Sequence, residues 1–248
     1  MLTNPETTKV MSVASLTPYG FSWTENSCAY DSVLSILHSI WNKDSMKWND
    51  VFRNMNNMIM GPLLNNFTAC KIGLITLNSC RDNLCFTLQQ LSPENIAWGE
   101  YTSVTKLLDY MLETPGKCAL ERTIHCYNEH VEDDVLLMNT SGLIAAGAQR
   151  QPSVQSWMTN FREDIVQKCN ICESDLYRQF RLAYPLSIVA LDISGHQIEI
   201  NRNFRVTINS EDHTYILRGI IYFSHYHFTA QIVYENGLTW FHDGIATL

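Results

Sequence analysis

The sequence has no run of Lys or Arg, no apolar stretch approaching the ~18 residues of a membrane-spanning helix, and no internal repeat or low-complexity tract. Each absence excludes something. Nucleic acid and anionic membranes are met by clustered positive charge, and this chain carries a formal net charge of −8, so neither is expected as its main partner. A partner with a basic face suits it better. Residues 1–10 are polar and lack the apolar core of a signal peptide, which predicts a cytosolic or nuclear setting. In that setting the eight cysteines (Cys28, Cys70, Cys80, Cys85, Cys118, Cys126, Cys169 and Cys172) read as reduced thiols, with a nucleophile and metal ligands among them, rather than as a disulfide framework. What the chain does have is length and apolar residues: 248 residues, 46% of them hydrophobic, are enough for one sizeable domain.

The segment Asn26-Ser27-Cys28-Ala29-Tyr30-Asp31-Ser32 leads into Val33, Ile36, Leu37, Ile40 and Trp41. That spacing predicts one buried helical stripe, with Cys28 in the first turn. A thiol at its free pKa is mostly protonated at neutral pH. At a helix start, unpaired backbone N–H groups and the positive end of the dipole both favour the thiolate. By helical phase Cys28 lies about 140° from Val33, with Ser32, Ser35 and Ser39 on its side of the helix. That side is expected to be solvated or functional rather than core. Asp31 is expected to bond locally near the helix start or to contact the cleft.

A nucleophilic thiol needs a base, and the end of the chain offers one. His227-Phe228-Thr229-Ala230 opens an extended segment that runs to Tyr234, Glu235-Asn236-Gly237 signals a tight turn, and Leu238 to Asp243 reads as the return strand. Register decides whether Asp243 can orient His227. A two-residue Asn-Gly turn would pair Ala230 with Asp243 and put the carboxylate on the wrong face. A three-residue loop with Gly237 left-handed pairs Thr229 with Asp243, and His227 becomes its diagonal neighbour on the same face. The three-residue loop or an equivalent bulge is therefore predicted. His225 competes as the base, because it points to the same side of the strand.

These residues resemble the ubiquitin-specific protease family, whose Cys box and His box occur in this order. Gly20-Phe21 is similar to the Gly-Leu before the family's Cys box, and Cys28-Ala29-Tyr30-Asp31-Ser32 to its Cys-aromatic-x-Asn-Ser. His227-Phe228-Thr229 is similar to the His-aromatic-Thr of its His box. Gly99-Glu100-Tyr101-Thr102-Ser103-Val104, followed by Leu107, Leu108 and Leu112, is similar to its second helix. The resemblance implies a papain-like cysteine peptidase in which Cys28, His227 and Asp243 are catalytic. Two positions depart from the pattern: Trp23 stands where the family carries its oxyanion-hole Asn, and Glu25 where it carries Gly. Asn26 is the nearest amide to take over as oxyanion donor, alongside the Cys28 backbone N–H.

Elsewhere the chain changes character along its length. Residues 1–20 show no periodicity and predict an arm. A helical lobe over 21–115 is expected to include a helical stretch around Trp48 to Met60, broken at Gly61-Pro62, and a helix from Ser103 to Leu112. From about Thr123 the pattern turns to strands: Val135 to Met138, Leu186 to Leu191, Gln197 to Ile200, Phe204 to Ile208, and one long run from Tyr215 to Phe223. Helices first and strands later predict an α+β fold, one catalytic domain with a helical lobe, a fingers insertion over 116–180 and an antiparallel sheet lobe over 181–248. Residues 141–151, rich in Gly and Ala, predict a mobile loop.

Cys169-Asn170-Ile171-Cys172 has the two-residue spacing of a zinc knuckle. Its upstream complement would be Cys126 with His130, or with His125 or Cys118 in place of that histidine. The resemblance implies a fingers lobe of this kind, and the alternative is a zinc-free finger with leftover thiols. His38, His196, His213 and His242 read as ordinary surface or structural histidines.

The reading that joins these parts is a thiol isopeptidase that removes ubiquitin or a ubiquitin-like modifier such as SUMO from conjugates, with no cofactor for catalysis and structural zinc in the finger. An inactive modifier-binding or scaffold relative is the rival from another class. A cysteine acyltransferase or general peptidase on the same scaffold is a third reading.

Overall fold

The computed structural model describes residues 20–130, 136–138, 141–145 and 151–246. The arm expected over residues 1–20 lies outside these except for Gly20, as do residues 146–150 of the stretch expected to be mobile. Five helices come first: α1 (Cys28–Lys43), α2 (Ser45–Met55), α3 (Met60–Lys71), α4 (Leu77–Leu91) and α5 (Val104–Met111). Strands follow, interrupted once by α6 (Val154–Thr159): β1 (Leu120–Cys126), β2 (Leu136–Met138), β3 (Leu143–Ala145), β4 (Arg162–Lys168), β5 (Asp175–Leu182), β6 (Ala190–Asp192), β7 (Asn203–Ile208), β8 (Glu211–Ile216), β9 (Gly219–Ser224), β10 (His227–Val233) and β11 (Thr239–His242). The molecule is α+β, with helical and antiparallel-sheet parts in the expected order.

Local chemistry explains most helix boundaries. The side chains of Asp44, Thr76, Ser103 and Ser153 accept backbone N–H bonds at the starts of α2, α4, α5 and α6, each satisfying a donor that the helix leaves unpaired. Gly61-Pro62 does not break the helical stretch as expected. Both residues sit in the first turn of α3, where proline's missing N–H costs nothing. The break falls earlier, at Asn56, whose backbone N–H closes α2 on Phe52 O and whose Oδ1 accepts from Ile59 N–H at 3.3 Å. Helix α4 was not anticipated. Its apolar stripe of Leu77, Cys80, Leu84, Cys85 and Leu88 is diluted by Asn, Asp, Arg and Thr.

Three of the expected strands also change. The run from Tyr215 to Phe223 is two strands, because β8 pairs with β7 and β9 with β10, and Leu217 N–H bonds Arg202 O between them. Gly219 is needed where the chain switches sheets: a Cβ there would lie 2.4 Å from Ile36 Cδ1 on α1. Of residues 186–191 only the end is strand, in β6, and Gln197 to Ile200 holds no more than an isolated bridge between Glu199 and Ser153.

Helix α1 is the axis of the larger core. It packs on α2, α4, α5, β9 and β10, and Tyr30, Val33, Leu34, Leu37 and Trp41 are almost fully buried among Phe52, Leu63, Phe67, Leu84, Leu88 and Leu107. A second cluster gathers α6 under Leu120, Ile144, Leu182, Leu186 and Ile208. A third, much smaller one, built on Ile124 and Leu176, closes the far end of the four-stranded sheet β2-β1-β5-β4.

Candidate active site

Cys28 is the first residue of α1 and is buried, at 6% exposure. The loop before it is sharp: Glu25 and Asn26 both take positive φ, 44° and 63°, a conformation that costs a non-glycine residue energy and persists where the surroundings impose it. Ser27 holds the loop to the helix. Its Oγ accepts from Thr24 N–H at 3.0 Å and donates to Asp31 Oδ2 at 2.6 Å. Asp31 also pairs with Arg81 of α4, Nη1 to Oδ1 at 3.0 Å. Asp31 does bond locally, as expected, but in full burial, and that burial pushes its carboxyl up to about 6 against the opposing pulls of Ser27 and Arg81. The serine side of α1 is a correction. Ser32 and Ser35 are buried, at 1% and 5% exposure, because the helix lies along a sheet that its apolar stripe does not reveal.

His227 opens β10, and its Nε2 lies 3.0 Å from Asp243 Oδ1. The register is the one that makes this contact possible. Ala230 pairs with His242 and Val233 with Thr239, Tyr234 N–H bonds Leu238 O, and Gly237 closes the three-residue loop with φ +86°. Continued one step, that register sets Thr229 opposite Asp243. Burial works against the Asp243 charge, but the Ile245 N–H, at 3.0 Å, and the His227 ring hold its carboxyl below the usual range. An ionised carboxylate on Nε2 fixes the proton there and leaves Nδ1 as the basic nitrogen. His225 is not placed this way. It sits in the β9–β10 turn with φ +50° and contacts Ser224 Oγ through Nδ1 at 2.7 Å.

Three fixed points align α1 with β10. Lys43 at the end of the helix pairs with Glu235 just beyond the strand. Ile36 lies over Gly219, whose strand partner is Ile232. At the other end Trp23 N–H bonds Gly244 O at 2.9 Å, and a Cβ on Gly244 would lie 3.3 Å from Asp31 Oδ2. From Lys43 back to Cys28 the helix spans about 22 Å. From Glu235 back to His227 the strand spans about 26 Å. Helix and strand therefore run together and end together, with Cys28 and the His227–Asp243 pair at the same end of the molecule.

Asn26, expected as an oxyanion donor, uses one Nδ2 proton to donate to Gly99 O at 2.8 Å, which ties the loop to the segment before α5. The first-turn N–H groups of α1 are also at this end. His242 is buried between Trp240 and Gly20, where burial pushes its ring down to about 4. A Cβ on Gly20 would lie 2.9 Å from His242 Nδ1, so glycine is required there by close approach. The residue sequence reading missed is Arg81. Its signal was the unrecognised helix α4 around it, since an Arg on the apolar side of a helix requires a buried partner.

The turns at the far end of the sheet β2-β1-β5-β4, called the finger from here on, bring Cys126, His130, Cys169 and Cys172 together, with all four ligand atoms within 4.8 Å of one another. Cys126 Sγ lies 3.4 Å from Cys172 Sγ and 3.6 Å from His130 Nδ1, and Cys169 Sγ lies 3.5 Å from the same nitrogen. Ligand bonds of about 2.0–2.3 Å in a tetrahedron give edges of about 3.5–3.8 Å, so the donor set fits such an ion. Backbone N–H groups of Asn128 and Ile171 point at Cys126 Sγ and Cys169 Sγ, at 3.1 and 3.4 Å, as expected for thiolates held in turns. Hydrogen bonds with Ser174 first, then with Cys126 and Cys169, draw the Cys172 thiol down to about 5. His125 is excluded from this set: its Nε2 contacts Thr123 Oγ1 at 2.7 Å and its ring stacks on Tyr177. Cys118 stays outside the cluster.

No protein-family model matches the chain, and no curated protein matches its sequence. Among solved structures, a chain of the Ubp8-Sgf11-Sgf73-Sus1 SAGA DUB module is 12% identical over 90% of this chain and 61% of that one, with a TM-score of 0.53. The papain-like protease of MERS coronavirus is 14% identical over 91% of this chain and 59% of that one, with a TM-score of 0.45. The same protease with human ubiquitin gives 13%, 90%, 62% and 0.42. This chain spans about three fifths of the length of the solved chains it matches. At such identity the likeness to the SAGA DUB module is one of architecture, and the protein has that ubiquitin-specific-protease-like, papain-type α+β fold.

Proposed function

We propose that the protein is a thiol isopeptidase acting on conjugates of ubiquitin or a ubiquitin-like modifier such as SUMO. The observation that carries the reading is the 3.0 Å contact between His227 Nε2 and Asp243 Oδ1 at the end of β10 where α1 begins with Cys28. In this reading His227 Nδ1 takes the Cys28 proton, the thiolate attacks the carbonyl of the modifier's terminal glycine, and the imidazolium returns the proton to the departing lysine amine. Asp243 keeps the second ring proton on Nε2 throughout. The oxyanion that forms meets the Cys28 backbone N–H. The charge of −8 suits a modifier with a basic face.

The same reading gives the finger a structural zinc held by Cys126, His130, Cys169 and Cys172, which takes no part in the chemistry. Stoichiometric zinc by metal analysis of purified protein is the expected result.

The test is a panel of ubiquitin and SUMO proteins carrying a C-terminal electrophile. A covalent adduct at Cys28 with one of them, absent in Cys28→Ala, is expected. No adduct with either, from folded protein, would leave a modifier-binding scaffold as the better reading.

A further inference from the structure

We propose that Arg81 is a positioning residue for the nucleophile, a role that rests on reading Cys28 as the reacting thiol. Arg81 is 1% exposed and belongs to α4, whose Asn78 also reaches this end of the molecule, its Oδ1 accepting from Ser22 N–H at 3.0 Å. Its guanidinium does several jobs at once. Nη1 donates to Ser22 O at 2.7 Å, to Asp31 Oδ1 at 3.0 Å and to Ser27 Oγ at 3.3 Å, while Nε donates to Asp82 Oδ1 at 3.0 Å. The Trp98 ring covers it, 5.4 Å from Cζ, and the neighbouring Gly99 carbonyl takes the Asn26 amide. One cation thus fixes both ends of the loop that delivers Cys28, Ser22 at its start and Ser27 with Asp31 at the helix.

The same group reaches the other half of the site. Asp31 Oδ2 and Trp23 N lie so close to Gly244 that an added Cβ would stand 3.3 and 3.1 Å from them, and Gly244 follows Asp243 directly. The Arg81–Asp31 pair is therefore packed into the seam between the nucleophile arm and the histidine hairpin. A shift of the pair moves one arm against the other and changes the approach of Cys28 to His227. Positioning of this kind requires a planar fork with several donors. A lysine would keep the charge near Asp31, but it would lose the second point of the fork, Nε on Asp82, and the flat face against Trp98, which together hold Nη1 in one orientation toward Ser22, Ser27 and Asp31.

Arg81→Lys is the central variant, with Gly244→Ala to press on the seam from the opposite side. Two measurements are made on folded protein. One is alkylation of Cys28 by iodoacetamide, followed by mass spectrometry with the half-buried Cys118 as internal reference. The other is the split of kcat and KM on a fluorogenic modifier conjugate. Arg81→Lys is expected to slow Cys28 relative to Cys118 by about tenfold and to lower kcat by a similar factor with KM within about twofold. Gly244→Ala is expected to act in the same direction. If Arg81→Lys lowers only the melting temperature, and Cys28 alkylation and kcat stay at parent values, the pair is merely structural and the proposal is overturned. If the parent cleaves no modifier conjugate but its Cys28 alkylation still responds to Arg81→Lys, the isopeptidase reading fails and the positioning role stands.

Discussion

The helical lobe and the finger are held together by different means. Around α1, large apolar side chains such as Leu34, Trp41, Phe52, Leu63 and Phe67 are buried to within 1%, each contributing about 1.5–3 kcal/mol of burial. Among the described residues, the far end of the finger buries Ile124 and Leu176 beside its sulfurs, with Ile165 partly buried against them. Two such side chains fall well short of the cost of ordering the turns that carry Cys126, His130, Cys169 and Cys172, at about 1–2 kcal/mol per residue. A small core therefore needs a crosslink, and a tetrahedral ion between two turns is one. The comparison teaches that chemistry-bearing residues are placed by packing in one region and would be placed by a ligand in the other.

The largest expected effect separates function from stability in the packed region. Asp243→Asn leaves the hairpin register and the melting temperature nearly unchanged, since Ala230, Ile232 and the Tyr234–Leu238 loop set that register. Activity on a modifier conjugate should nevertheless fall by about a thousandfold or more, because the amide no longer fixes the His227 tautomer. Retained activity in steady-state assays would remove Asp243 from the proposed triad. Next comes the finger. Cys172→Ala should abolish zinc binding and speed amide exchange in β1, β4 and β5 by about a hundredfold or more, while α1 and β10 keep their protection. Exchange that rises equally in α1 would erase the distinction between the two regions.

Legibility follows the same division. The hairpin was readable because Asn236-Gly237 and the alternating strand allow only two registers, and only one puts His227 and Asp243 on the same face. The finger was readable because the Cys169–Cys172 spacing is set by a single turn, although the choice of His130 over His125 needed the sheet, which pairs His125 with Tyr177 and leaves its ring on Thr123. Burial of Ser32 and Ser35 was not readable, since serine is usually a surface residue and only the neighbouring sheet makes their positions interior. The break between β8 and β9 was hidden in a continuous run of β-formers, and it depends on Ile36 lying over Gly219. Arg81 was hidden for a related reason: its partners Ser22, Ser27 and Asp31 lie at least fifty residues away in sequence. Local pattern gives faces and spacing, whereas burial of a polar residue is a property of the partner that covers it.

The smallest expected effect concerns acid. His242 and His38 are both held near 4 by burial, with Lys71 adding to the shift at His38. An unfolded chain takes up protons at these rings below about 6.5, and the folded one does not, so stability is lost as pH falls from about 6.5 toward 4. Asp31 works in the opposite direction. Its carboxyl, raised to about 6, binds a proton in the folded state before the unfolded state does, which adds stability as pH falls between about 6 and 4. Two groups against one leave a net loss toward acid. His242 is 1% exposed and neither ring nitrogen is hydrogen-bonded among the described residues, so an apolar side chain of similar volume should cost little at pH 7.5. His242→Leu should therefore match the parent in urea unfolding at that pH and exceed it by roughly 2–3 kcal/mol at pH 4.5. Equal losses in parent and variant across that range would show that His242 is not the buried neutral ring its surroundings make it, and would move the acid sensitivity to His38 and the helical core.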